Sequence, residues 1–277
     1  MIEYLNLLED VLTHGKSRSD PQGVGNYSIF GRQVHYHLKD GFPLITTRDM
    51  TKQWRVLVGE LLWILSGSTN TNDLHRNGIK LWDQWDTLET SGKLGFPKGE
   101  LGPTYGHQLR NFNGRIDQLT QVINMLKLRP DTRRGIISYW NLEEVEIDGQ
   151  EKIFIAPCIA MLHLSKQDDE LNLHMFQRAA DLAAGVPFDV AQYALLLMMA
   201  ANELKLKPGT LVHTLSDAHI YKDQIPAVKQ LLQRQPKPRP LVTIKDSLSG
   251  DLFNHQIEDF NLHNYDPHPP IKIPVAT

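Results

Sequence analysis

The sequence predicts an α+β fold, with strands gathered in a sheet and apolar helices buried against it. Runs such as Ile159 to Leu164, Leu171 to Phe176 and Thr210 to Tyr221 alternate apolar and polar residues, the period of a strand with one face in a core. Two other segments, Trp54 to Leu65 and about Phe188 to Leu204, are apolar almost all round. That pattern belongs to helices surrounded by protein rather than half in water. With 277 residues, 41% of them hydrophobic, the chain can bury a large core as a single domain, 1–277. A polar insertion or rim loop is expected at about 87–102.

Taken in order, Ile2 to Thr13 is an amphipathic helix with Tyr4, Leu5, Leu8, Val11 and Leu12 on one face, ended by Gly15. Ser17 to Asn26 is rich in turn formers and reads as a loop. Tyr27 to Leu38 alternates as paired strands around Gly31, and Gly41-Phe42-Pro43 turns the chain. Glu60 lies inside the buried helix that Gly67 closes; a carboxylate there needs a partner, and an ion pair is one solution. Trp82 and Trp85 serve equally well as core or as binding surface on residue type alone. Thr87 to Gly102 is polar and longer than most loops of compact domains. Ile116 to Leu128 is helical by spacing, and Pro130 to Arg134 leads into a strand from Gly135 to Trp140. Near the end, a Pro-rich connector (Gln235 to Pro240) precedes a last pair of strands.

Composition narrows the function. A net charge of −3 gives no electrostatic reason to expect a nucleic-acid polymer as partner. No run of 18 apolar residues occurs, and the first residues lack a basic stretch followed by an apolar one. Neither a membrane span nor a secretory signal is expected, which makes the cytoplasm the expected compartment. The single cysteine, Cys158, excludes an intrachain disulfide and a multi-cysteine metal centre, and suits a reducing compartment. The twelve histidines include no His-x-x-x-His or His-Glu-x-x-His spacing, so no metal is expected.

The chemistry-bearing stretch is Phe176 to Tyr193. It sets Gln177, Arg178, Asp181, Gly185 and Asp189 between a strand-like run and the longer buried helix. Asp189 stands at the helix entry, where free N–H groups and the positive dipole end favour a polar site. It could equally be a helix cap, and Arg178 with Asp181 a surface ion pair. Residue types alone leave both open.

Further motifs accompany it: Ala156-Pro157-Cys158, Gln177-Arg178-Ala179-Ala180-Asp181, Gly185-Val186-Pro187-Phe188-Asp189 and Asp217-Ala218-His219-Ile220-Tyr221. In this order they resemble the thymidylate synthase family, which includes the deoxycytidylate hydroxymethylases. The resemblance runs from Tyr4 to Thr277. It implies a thymidylate synthase-type fold, a mixed β-sheet with buried helices packed on it and one sheet face used for homodimerisation. By the same resemblance, Cys158 is the nucleophile and Glu60 the acid–base group, its pKa raised by burial. Arg133 and Arg134 reach across the dimer to the nucleotide phosphate in the partner's site, where a guanidinium fork fits the oxygens. Gln177, Arg178 and Asp189 contact substrate, and His219 and Tyr221 the sugar hydroxyl. The folate cosubstrate, 5,10-methylenetetrahydrofolate, meets Trp82, Trp85, Asp181 and Gly185. One departure is Pro21, where the family usually has a phosphate-binding arginine; Arg18 is a candidate substitute. Another is Leu109, where a Trp commonly follows the Tyr105-Gly-x-Gln motif.

One-carbon transfer to pyrimidine carbon 5 needs a thiolate of lowered pKa, a nearby cation, a proton-transfer group and a group at the ring's 3,4 edge. Cys158, Arg178, Glu60 and Asp189 supply one of each. Uracil-acting relatives carry Asn at position 189. Cytosine reverses the donor and acceptor demands at that edge, and a protonated Asp meets both. Ile159, where those relatives have His, points the same way. The expected activity is therefore 5-hydroxymethylation of CMP or dCMP. Methylation of dUMP, methylation of a cytosine nucleotide, and a catalytically silent nucleotide-binding paralogue are the alternatives.

Overall fold

Six strands form one mixed sheet in the order β1 (Lys16–Arg18), β2 (Asn26–His37), β8 (Lys207–Tyr221), β7 (Glu170–Asp181), β6 (Ile159–Gln167) and β3 (Ile136–Ser138). The computed structural model describes residues 1–245 and 252–275. Neighbours are antiparallel except β7 and β8, which run parallel. Two small antiparallel pairs lie apart: β4 (Glu146–Ile147) with β5 (Gln150–Glu151), and β9 (Leu241–Ile244) with β10 (Phe260–His263). The helices are α1 (Ile2–His14), α2 (Thr51–Ser66), α3 (Thr71–His75), α4 (Tyr105–Arg110), α5 (Gln118–Leu128), α6 (Leu142–Val145), α7 (Val186–Glu203) and α8 (Ile225–Leu232). The expected α+β architecture is thus the observed one.

Period-two alternation gives the sheet two different faces. Leu171, Leu173, Met175 and Gln177 of β7, with Leu211, His213 and Leu215 of β8, are buried on the face that α7 covers. In α7 the run Val190 to Leu197 is buried without a break, as its all-round apolarity predicts. The alternate positions, among them His174, Phe176, Val212 and Thr214, stay partly exposed. Among the described residues no helix is long and apolar enough to cross a membrane.

Local readings are corrected in four places. Tyr27 to Leu38 is one strand, not a pair: Gly31 takes a positive φ of 78°, yet β2 stays paired with β8 on both sides of it. Lys16–Arg18 pairs with the start of β2 instead of looping. β7 continues past Phe176 to Asp181 because its parallel partner β8 runs alongside as far as His219. Gln177, Arg178 and Asp181 are therefore strand residues, and the turn is confined to 182–185. α7 opens at Val186, with Pro187 in the first turn where its missing N–H costs nothing. The 87–102 stretch is tied back at its far end: Gly99 accepts from Thr71 N–H at 2.7 Å and donates to Asp86 Oδ1 at 2.8 Å.

Candidate active site

Cys158 stands just before β6, and the sheet itself aims it. Its carbonyl accepts from Arg178 N–H at 2.8 Å, and its N–H donates to Tyr105 Oη at 2.7 Å. The Arg178 side chain folds onto the segment entering the nucleophile: Nε donates to the Pro157 carbonyl and Nη2 to that of Ala156, both at 2.9 Å. Its guanidinium lies 5.0 Å from the centre of the Trp140 ring. This clamp fixes a cation beside a partly buried thiol. The expectation of a lowered thiol pKa is nevertheless overturned. Burial pushes Cys158 above the ordinary range; Arg178 pulls it down, Asp189 pushes it up, Tyr105 pulls it down and Asp181 pushes it up.

Asp189 is not a cap. α7 has no side-chain cap, and Asp189 Oδ2 instead accepts from Gln177 Nε2 at 2.8 Å. Burial raises its pKa to about 7, against the pull of the Gln177 bond and with the charges of Glu60 and Asp181 adding to the rise. Nor does Asp181 pair with Arg178. Its Oδ1 accepts from the N–H groups of Ala183 (3.0 Å) and Ala184 (3.1 Å), and its Oδ2 from Gln224 Nε2 (2.9 Å).

Glu60, on α2, is buried without a cation among the described residues. Two neutral donors hold it instead: Trp82 Nε1 to Oε1 and Gln192 Nε2 to Oε2, each at 2.7 Å. Burial raises its pKa, and the two donors oppose that rise. His219 and Tyr221 end β8 with their rings 5.1 Å apart and nearly perpendicular. His219 Nδ1 is 3.6 Å from Asp217 Oδ1, outside hydrogen-bond range, while Asp217 Oδ2 accepts from Arg18 Nη1 at 3.2 Å.

Arg133 and Arg134 are exposed and lie elsewhere. Gly135 bonds to Leu164, six residues along β6 from Cys158, or roughly 20 Å at strand rise. Arg134 lines a cleft of about 450 Å³ with Arg129, Pro130, Asp131 and Thr132. Within one chain, the fold gathers Cys158, Tyr105, Arg178, Asp181, Asp189 and Glu60 but not these two arginines.

A model of the family described as thymidylate synthase matches residues 2–277. The chain belongs to the thymidylate synthase family. The six-stranded mixed sheet with helices on it agrees with that fold, and membership indicates folate-dependent one-carbon transfer to a pyrimidine nucleotide. The donor in this family is methylenetetrahydrofolate, and its members are typically dimers that bind small nucleotides.

Seen as a thymidylate synthase family site, the expected folate residues divide. Trp82 is buried with its N–H engaged by Glu60, and its ring lies 5.1 Å from that of the less buried Trp85. Trp85 is thus the one of the two that keeps ring surface partly exposed. At Gly185 an added Cβ would stand 3.4 Å from the Asp181 carbonyl oxygen and 3.7 Å from Asp189 Oδ2. These are ordinary contact distances, so the packing there does not itself demand glycine. Sequence reasoning noted Tyr105 only as part of the Tyr105-Gly-x-Gln motif and gave it no place beside Cys158, and it did not single out Trp140, Gln192 and Gln224. Gln192 carried a usable signal, a polar residue within an apolar helix like Glu60; Trp140 carried none beyond residue type.

Proposed function

We propose that this chain transfers a one-carbon unit from 5,10-methylenetetrahydrofolate to carbon 5 of a cytosine nucleotide, CMP or dCMP, giving the 5-hydroxymethyl product. The observation that supports cytosine is the state of Asp189: a carboxyl with a pKa near 7, one oxygen engaged by Gln177 and the other without a partner among the described residues. A neutral acid of this kind donates to the bare ring nitrogen of cytosine and accepts from its amino group. Uracil presents the opposite pattern, and each mismatched buried group costs about 1–3 kcal/mol.

In this reading Cys158 Sγ adds to carbon 6 of the ring. The electron pair of the 5,6 bond moves to carbon 5, which takes up the one-carbon unit that the folate supplies. The proton on carbon 5 leaves, the bond from the one-carbon unit to the folate nitrogen breaks with release of tetrahydrofolate, water adds to the exocyclic methylene left on the ring, and Cys158 departs as the ring double bond re-forms. Arg178 supplies the cation that favours the thiolate. A neutral Asp189 removes one of the two carboxylate charges that hold the thiol proton. Glu60, buried and raised, moves protons through water. His219 and Tyr221 hold the sugar. The phosphate falls to Arg133 and Arg134 of a second subunit, docked through the partly exposed sheet face, with Arg18 standing in for the arginine absent at Pro21.

An Asp at this position accompanies the hydroxymethylases of the family, which favours hydroxymethyl over methyl. Incubation with methylenetetrahydrofolate and carbon-5-tritiated CMP, dCMP or dUMP tests the substrate, and mass spectrometry tests the product. Tritium release from a cytosine nucleotide with a hydroxymethylated product is expected. A methylated product would overturn the hydroxymethyl assignment, and release from dUMP alone would overturn cytosine.

A further inference from the structure

Among the described buried titratable groups without a part in this chemistry, His213 is the one bonded to a residue that touches Asp189. His213 is fully buried on β8, two residues before Leu215, which pairs with Gln177 of the parallel strand β7. Period two puts His213 on the same sheet face as Gln177, within reach of it along the diagonal. Its Nε2 lies 2.7 Å from Gln177 Oε1, and Gln177 Nε2 donates in turn to Asp189 Oδ2 at 2.8 Å. His213 Nδ1 is buried with no partner.

That last atom decides the direction of the chain of bonds. Were the Gln177 amide turned round, His213 Nε2 would have to accept, and the ring proton would sit on Nδ1. A buried N–H without an acceptor costs about 1–3 kcal/mol, whereas a bare buried acceptor is the more tolerated defect. The proton therefore belongs on Nε2, Gln177 presents its oxygen to His213, and its NH2 faces Asp189. A proton on Asp189 Oδ2 would make that oxygen a poorer acceptor for the NH2 than a carbonyl-type oxygen, so the bond favours the proton on Oδ1.

We infer that His213 is a positioning residue for nucleotide selection: by holding the Gln177 amide in one orientation, it biases the Asp189 proton to Oδ1, the oxygen left to face the base. The inference rests on the cytosine reading of Asp189. An Oδ1–H faces the acceptor nitrogen of cytosine and collides with the N–H that uracil carries there. The relay needs a histidine that stays neutral, and burial, with His174 as charged neighbour, depresses its pKa to about 3. Around Asp189 the titratable neighbours are Glu60 on α2, Asp181 on β7, Cys158 before β6, Tyr105 on α4 and Tyr193 on α7. Of the groups around it, Gln177 is the one hydrogen-bonded to the Asp189 carboxyl among the described residues.

Two measurements test it. In the intact protein labelled with ¹⁵N-histidine, His213 is expected as the neutral Nε2–H tautomer throughout the range of roughly pH 5 to 8 in which ordinary histidines titrate. An Nδ1–H tautomer, or protonation within that range, overturns the relay whatever the substrate proves to be. The second is the ratio of kcat/KM for cytosine and uracil nucleotides in H213F and H213Q. Gln places an amide donor where Nε2 was. H213F should lower the ratio by about tenfold or more, and H213Q should restore most of it. Equal losses on both nucleotides, or no rescue by Gln, overturn the role; so does an H213Q ratio as low as expected for Phe should H213F not fold. Wild-type enzyme that uses uracil alone overturns the cytosine reading on which the role depends, and is told apart by a tautomer still on Nε2.

Discussion

Asp189 shows how far one side chain can carry a functional reading. An unfolded aspartate titrates at about 3.9, whereas the buried one titrates at about 7. The native state thus holds this proton more tightly. Its contribution to stability is full below about pH 4 and is lost as pH rises through about 7, a change on the order of 4 kcal/mol for three pKa units. Urea unfolding of wild type and D189N is expected to show wild type losing stability relative to the variant across that window; a constant difference would contradict the burial argument. The same charge raises Cys158, so alkylation of Cys158 above about pH 7 should titrate at lower pH in D189N than in wild type. Residue type alone left Arg178 and Asp189 open; Cys158, Arg178, Glu60 and Asp189 were picked out together through the family resemblance. The direction of the thiol shift was not legible, because it depends on burial and on two carboxylates brought in from β7 and α7.

At the scale of elements, α2 and α7 hold one carboxylate between them. Gln192 of α7 and Trp82 restrain the Glu60 proton affinity by donating to it. Replacing Gln192 with Leu removes one donor, so the Glu60 pKa should rise further. The acid limb of the kcat/KM profile is expected to move to higher pH, with a stability loss of about 1–3 kcal/mol; a limb that stays in place would show that Glu60 does not govern it. Both helices could be read from sequence because apolar residues all round leave little alternative. Strand limits could not. Gln177-Arg178-Ala179-Ala180-Asp181 has the composition of a turn, yet it is strand because β8 pairs with it from across the chain. Gly31 suggested a hairpin for the same reason: a local conformational signal is overruled when a distant partner holds both flanks of β2.

For the whole molecule, the sheet divides the proposed labour. The face under α7 carries Gln177 and His213 against Asp189, while the partly exposed face with His174, Phe176, Val212 and Thr214 is the one proposed to meet a second subunit. Arg133 and Arg134 are exposed and lie beside the part of β6 remote from Cys158, and they are proposed to serve a neighbour's site. Mixing C158A with the R133A/R134A double variant should then restore activity to about one quarter of wild type. Half of randomly paired dimers are mixed, and each mixed dimer has one complete site. Mixtures as inactive as their components would contradict a shared site. The proposed dimer is suggested only by family resemblance, since alternation cannot say which open face finds a partner. The most direct measurement remains tritium release from carbon-5-labelled CMP, dCMP and dUMP by wild type and D189N side by side. Wild type is expected to act on a cytosine nucleotide, and D189N to lose at least ~30-fold on it while gaining dUMP; wild-type release from dUMP, with none from CMP or dCMP, would contradict a neutral Asp189 reading cytosine.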